Sequence, residues 1–284
     1  DRELEFLPSD IEIGERAEAG LGLTSPEFAV LVAYAKLALK ADLLPTGLPD
    51  DPWFQQTLAD YFPGPIKEGF ADAITEHPLR REIITNSVAN SLINRGGITF
   101  VYRAMEETGA RAEQIARAYV IAREVFGLAD FVAQIEALDN AVPTQAQTRL
   151  YLEFRRLLDR SVRWFVANRP VALDVAGELE RYSGIVRDWS PRLPDVLVAT
   201  EADRLRANAE TYAADGVPED LATRAAGLLD AFSLLDCADL SLLTGEPADQ
   251  VVPLYFRVSE RFAIDAMLHR ITQLPRGDRW DALA

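Results

Sequence analysis

Cysteine occurs once in this chain, at Cys237, and histidine twice, at His77 and His269. A lone thiol excludes an intramolecular disulfide and any metal site built on several thiolates. Its neighbours Leu235, Asp236 and Ala238 form a helix-like run, so the expectation is a buried, reduced thiol in a cytoplasmic protein. Neither histidine has a carboxylate or second histidine three or four residues further on, the spacing that would make a metal-binding helix face. His77 precedes Pro78 at a helix junction and His269 follows Met267 and Leu268, which predicts packing or solvated roles for both. Lysine is nearly as scarce. Only Lys36, Lys40 and Lys67 are present, so the positive charge rests almost wholly on arginine, which favours fixed pairing with carboxylates. Lysine and arginine together number 29 against 45 acidic residues, a net charge of −16. A protein so charged repels phosphate backbones and anionic lipid surfaces, which argues against nucleic-acid and membrane partners. The longest apolar stretch, Phe28 to Leu39, is interrupted by Lys36 and falls short of the roughly 20 apolar residues of a membrane span. No cleavable leader pattern opens the chain, and Asp1 in place of an initiator Met points to processing or to a cut inside a longer polypeptide.

What the chain does have is core-forming material: 49% hydrophobic and 26% charged residues, the balance of a globular protein. Its 284 residues approach the upper size for one hydrophobic core, which predicts one elongated or two closely packed helical units. From Thr24 onward apolar residues recur at three- and four-residue spacings, and no stretch shows sustained alternation with β-branched enrichment. The expected fold is all-α, a multi-helix bundle or an array of antiparallel helical hairpins without a substantial sheet. Thr24 or Ser25 as N-cap, Pro26 in the first turn and Glu27 at the positive end of the helix dipole predict a helix to about Leu44. Pro45, Gly47 and Pro49 stop it. Proline, glycine and asparagine punctuation then predicts helices over 52–62, 65–76, 78–95, 98–108, 111–126, 128–140, 143–169, 173–189, 195–214, 218–243 with a break near Asp230, and 247–274. Two prolines within Ser190–Pro194 make that segment the best internal joint. The predicted organisation is therefore 1–23 as a leading segment, 24–189 as a first helical unit and 195–284 as a second unit packed on it.

Catalytic chemistry is not visible. A nicotinamide-binding fold needs a glycine-rich turn between a strand and a helix, so that backbone can approach the pyrophosphate. Gly20 and Gly22 followed by Ser25 lack the third small residue and a preceding strand. Gly96 and Gly97 follow a helix instead, where glycine supplies a left-handed cap. No residues are put forward as catalytic, cofactor-binding or metal-binding.

Two polar stripes stand out. Asn86, Asn90 and Asn94 recur every four residues beside Ile83, Ile84, Val88 and Leu92. Asparagine is a poor helix-interior residue, so three in register imply hydrogen bonding to neighbouring loops or a surface that docks another domain. At 100° per residue, Arg149, Arg156, Arg160 and Arg163 fall within about 60° of arc, with Leu150, Phe154, Leu157, Leu158, Trp164 and Phe165 opposite. Such an arginine ridge on an acidic protein implies salt bridges to acidic helices of the same fold, a docking contact, or anion binding.

Several runs resemble the large NAD-specific glutamate dehydrogenases of bacteria, in the region after their catalytic domain. They are LEFLPSD from Leu4, LTSPEFAVLVAYAKLAL from Leu23, YFP at Tyr61, HPLRREIITNSVANSLINRGGITF from His77, LDNAVP at Leu138 and RWF at Arg163. The likeness is strong through Phe165 and weaker beyond. It implies that residues 1–23 leave an upstream catalytic domain, and that the chain is cut at both ends. The parent would be a cytoplasmic homo-oligomer converting L-glutamate to 2-oxoglutarate and ammonia with NAD. The NAD would be held by the upstream domain, so this chain would be a structural or regulatory module without activity of its own. Its partners would be its own catalytic domain and other subunits. The residues alone leave open a free-standing helical adaptor, or a helical-bundle enzyme whose acidic residues converge only in three dimensions.

Overall fold

The computed structural model describes residues 2–169, 173–264 and 267, and among them every regular element is helical, with no strand. The described residues form two compact units, one of residues 1–122 with 158–178, the other of 123–157 with 179–284.

The first unit opens with α1 (Asp10–Glu18), started by a reciprocal cap. The Ser9 amide donates to Glu12 Oε2 at 2.7 Å, and the Glu12 amide donates to Ser9 Oγ at 3.3 Å. α2 (Ser25–Leu43) starts where Thr24, Pro26 and Glu27 predict, with the Thr24 amide donating to Glu27 Oε2 at 2.7 Å. The segment expected as one helix over 52–62 is a 3-10 turn, Pro52–Phe54, leading into α3 (Gln55–Asp60). The one expected over 65–76 divides at Phe70 into α4 (Gly64–Gly69) and α5 (Ala71–Thr75). α6 (Arg80–Ser91) buries Ile84, Thr85, Val88 and Ala89 and ends in a π-helical turn, Leu92–Gly96. α2 packs against both α6 and that turn.

Gly97, predicted as a left-handed cap, has the positive φ of 90° that glycine permits, but its ψ of 160° is extended and not left-handed helical. Gly96 serves a different end, close packing: a Cβ there would lie 2.7 Å from Phe100 Cδ1. Phe100 begins α7 (Phe100–Thr108), which Gly109 caps in the left-handed region. The ring of Phe100 meets Tyr119 edge-on, and the Tyr119 hydroxyl lies 2.7 Å from Ser91 Oγ. α8 (Ala112–Val125) carries Tyr119 into this core.

In the second unit, α9 (Leu128–Glu136) buries Leu128, Phe131, Val132 and Ile135. α10 (Thr144–Asn168) and α11 (Val175–Trp189) are the long helices that the sequence predicts, and each, like α8, supplies residues to both units. The expected joint at Ser190–Pro194 does not divide the chain. It is a 3-10 turn, Ser190–Arg192, running into α12 (Leu193–Val196), inside the second unit. Pro191 and Pro194 sit in the first positions of these turns, where a missing N–H costs nothing. Leu197 and Val198 are extended, so α13 (Ala199–Ala214) is separate from α12. α13 packs against α14 (Glu219–Ala226), which α15 (Leu228–Ala231) and α16 (Leu234–Thr244) follow, the expected break near Asp230 falling at Phe232 and Ser233. α17 (Ala248–Phe262) packs back on α16. The helix expected to continue to Leu274 gives way at Ala263, which is left-handed at φ 51°. His269 and the remainder of that expected helix lie outside the described residues.

Candidate docking surfaces

The four ridge arginines of α10 have different surroundings. In the second unit, Arg149 pairs with Asp215, the residue that ends α13. Arg156 pairs with Glu153 on its own helix, Nη1 to Oε1 at 2.7 Å, and remains exposed. In the first unit, Arg163 Nε donates to Glu107 Oε2 of α7 at 2.5 Å, and Nη1 lies 2.7 Å from Asp159 Oδ1. Burial works against the charged guanidinium of Arg163, yet the bonds and charges of Asp159 and Glu107 outweigh it and hold its pKa above the ordinary arginine value. Arg160 is exposed and has no ion pair among the described residues.

Asn86 and Asn90 on α6 are half-buried and Asn94, in the π turn, is exposed. Among the described residues none of the three side chains makes a hydrogen bond, so the expected bonds to neighbouring loops are not formed. An asparagine in mid-helix costs helix propensity. Among the described residues that cost is not offset by a side-chain bond, and each amide can both donate and accept.

The remaining polar candidates are locally occupied. His77 Nδ1 accepts from the Leu79 amide at 3.1 Å, beside the Phe62 ring. Cys237 is fully buried in α16, and burial, helped by the nearby charge of Asp236, pushes its thiol up to about 12. Among the described residues no three His, Cys, Asp or Glu side chains gather as metal ligands, and no helix is long and apolar enough to cross a membrane.

One surface is not singled out by polar patterning. α2 buries only Leu39 and Leu43. On a helical wheel Val30, Ala33, Tyr34, Leu37 and Ala41 share the side facing away from those two, and all of them are exposed or half-exposed. Before α2, α1 buries no residue at all, and Leu4, Phe6 and Ile11 are exposed. Between this leading segment and α2 lies a pocket of about 450 Å³ lined by Leu7, Pro8, Ile13, Leu23 and Leu31 together with Arg2, Glu5 and Tyr34.

The profile of the family described as "Glutamate dehydrogenase, C-terminal" matches residues 20–284. The chain belongs to that family. NAD-specific glutamate dehydrogenases of Mycobacterium tuberculosis (strain ATCC 25618 / H37Rv) and Pseudomonas aeruginosa are each 40% identical to it over 284 residues, and that of Halomonas elongata is 37% identical. Each alignment takes in 100% of this chain but only 17% or 18% of the relative. The chain thus spans less than a fifth of the length of the relatives it matches. The exposed side of α2 falls within the family match, whereas α1 precedes it.

Proposed function

We propose that this chain is the helical, non-catalytic module of an NAD-dependent glutamate dehydrogenase. The parent enzyme would take L-glutamate, NAD and water to 2-oxoglutarate, ammonia and NADH. The observation that carries this reading is the match of the whole chain to NAD-specific glutamate dehydrogenases of which it makes up 17–18%. The absence of any strand among the described residues supports it, because a dinucleotide fold is built on strand, glycine turn and helix. Substrate and NAD would therefore be held by the remainder of the parent, in the cytoplasm and in a homo-oligomer, with this module serving structure or regulation.

The test compares the 284-residue chain with the longer enzyme, intact and with this module deleted. Glutamate-dependent NADH formation is expected from the intact enzyme and not from the chain by itself. Deletion is expected to impair assembly or turnover. NADH formation by the isolated chain overturns the non-catalytic reading, and a deletion without effect on assembly, stability or rate overturns the structural one.

A further inference from the structure

A helix that is apolar around its whole circumference belongs in an interior. α2 is apolar over most of its circumference, interrupted by Lys36, Lys40 and Asp42, yet it buries only Leu39 and Leu43. Leu37 is 57% exposed at the centre of the uncovered side, with Ala33 and Ala41 one turn to either side of it and Tyr34 on its flank. The leading segment continues the pattern, with Leu4 79% and Phe6 90% exposed. Large contiguous apolar surface of this kind marks contact with another body.

Several of the charges around this surface are engaged locally. Arg2 Nη1 lies 2.9 Å from Asp10 Oδ1, Arg16 Nη1 lies 2.7 Å from Glu27 Oε2, and the Tyr34 hydroxyl donates to Glu5 Oε1 at 2.9 Å. The Glu5–Tyr34 bond ties the leading segment to α2, and both residues line the pocket between them, which has room for a large side chain. Where ionic groups are already paired, as in Arg2–Asp10 and Arg16–Glu27, a surface is covered at less cost than where charges stand alone. This one offers apolar area at its centre and satisfied polar groups at its edge, the layout of an interface core and rim.

Resting on the reading of this chain as a module of a longer dehydrogenase, we propose that the exposed side of α2 and the leading segment are seated against the remainder of the same polypeptide. An apolar side chain of that remainder fills the pocket lined by Leu7, Ile13, Leu23 and Leu31. Two observations select this occupant. The relatives carry most of their length outside the matched region, so a large covalently attached body is at hand at high effective concentration. A second copy of this chain would bring its own net charge of −16 to the contact, and like charge opposes such pairing.

The experiment measures backbone hydrogen exchange of residues 2–43 in the longer enzyme and in the 284-residue chain. Exchange in α2 is expected to be about tenfold or more slower in the longer enzyme. Leu37→Asp and, independently, Ala33→Trp are expected to remove that protection while leaving the melting temperature of the 284-residue chain unchanged, because both positions are exposed in it. Equal exchange in the two proteins overturns the proposal, as does protection that survives both substitutions. Dimerisation of the 284-residue chain that Leu37→Asp abolishes would assign the surface to a second copy and also overturn it. A longer protein that protects α2 but forms no NADH from glutamate would remove the assigned activity and leave the docking intact, so the two failures are separable.

Discussion

Arg163 on α10 reaches across to Glu107 on α7, its Nε 2.5 Å from Oε2, while the same guanidinium holds Asp159 one turn back on its own helix. One ridge arginine thus joins two helices of the first unit and contacts two carboxylates. Three residues earlier on the same helix face, Arg160 is exposed and unpaired among the described residues. Position on a helical wheel does not distinguish the two side chains. What lies opposite does.

Arg163→Glu removes both ion pairs and places three carboxylates together. Exposed pairs contribute roughly 0.2–1 kcal/mol each, and partly buried ones cost more when one partner is left behind. The expected destabilisation is about 1–3 kcal/mol, a fall in melting temperature of several degrees, read by circular dichroism. Arg160→Glu is expected to change stability by less than about 0.5 kcal/mol. Equal effects at the two positions would show that the Glu107 contact does not form.

Much of the local structure was legible because its causes are local. Thr24, Pro26 and Glu27 mark the start of α2, and Pro143 and Pro247 precede α10 and α17 by one residue. The breaks that escaped prediction have no such marker. Phe70 divides α4 from α5, Leu197 and Val198 are extended ahead of α13, and Ala263 takes a left-handed conformation where glycine or asparagine would have been expected. The two units were hidden for a related reason: the divisions fall inside α8, α10 and α11, where helical periodicity runs on unbroken. The docking face was hidden by its own composition. Leu37 reads as core in a sequence, and only the folded chain shows that its side chain is 57% exposed.

Gly96→Ala tests the close approach at the end of α6. The added methyl would sit 2.7 Å from Phe100 Cδ1 and 3.0 Å from Cγ, and the ring is fully buried against Tyr119. Overpacking of this kind costs typically 1–3 kcal/mol, so a clear fall in the denaturant midpoint is expected. Gly184 on α11 has no atom within 4 Å of an added Cβ. There alanine is expected to stabilise by about 0.5–1 kcal/mol through helix propensity. A neutral Gly96→Ala would mean that Phe100 is free to move aside.

Cys237 provides a reporter of opening in the second unit. Its thiol is buried and pushed up to about 12, so the thiolate is scarce and out of reach at pH 8. A disulfide reagent is expected to label the folded chain only as fast as α16 is exposed, and to label it completely in denaturant. Rapid labelling without denaturant would contradict the buried environment.

Glu27 makes the acid behaviour of the leading segment predictable in sign. Its carboxylate accepts from Arg16 and from the Thr24 amide, and these bonds, with the Thr24 hydroxyl adding to them, hold it down at about 2 against an ordinary 4.5. A pKa depressed on folding contributes stability that is present above the unfolded value and is lost as pH falls through the folded one. The contact between α1 and the start of α2 is therefore expected to be intact above about pH 4.5 and to loosen as pH drops toward 2. Neutralising other carboxylates relieves part of the net charge of −16 over the same range, so a global melting curve mixes opposing effects. Carbon-detected NMR titration of the Glu27 carboxyl reads the site itself, and its midpoint should lie well below 4.5. Arg16→Gln should raise that midpoint most, since the Arg16 bond is the largest influence, yet leave it below the ordinary value because Thr24 still donates. Glu27→Gln should remove the Glu27-linked titration from the Thr24 amide chemical shift. A Glu27 midpoint near 4.5 in the unsubstituted chain would mean that neither bond holds in solution and that the leading segment is not fastened to α2 at this point.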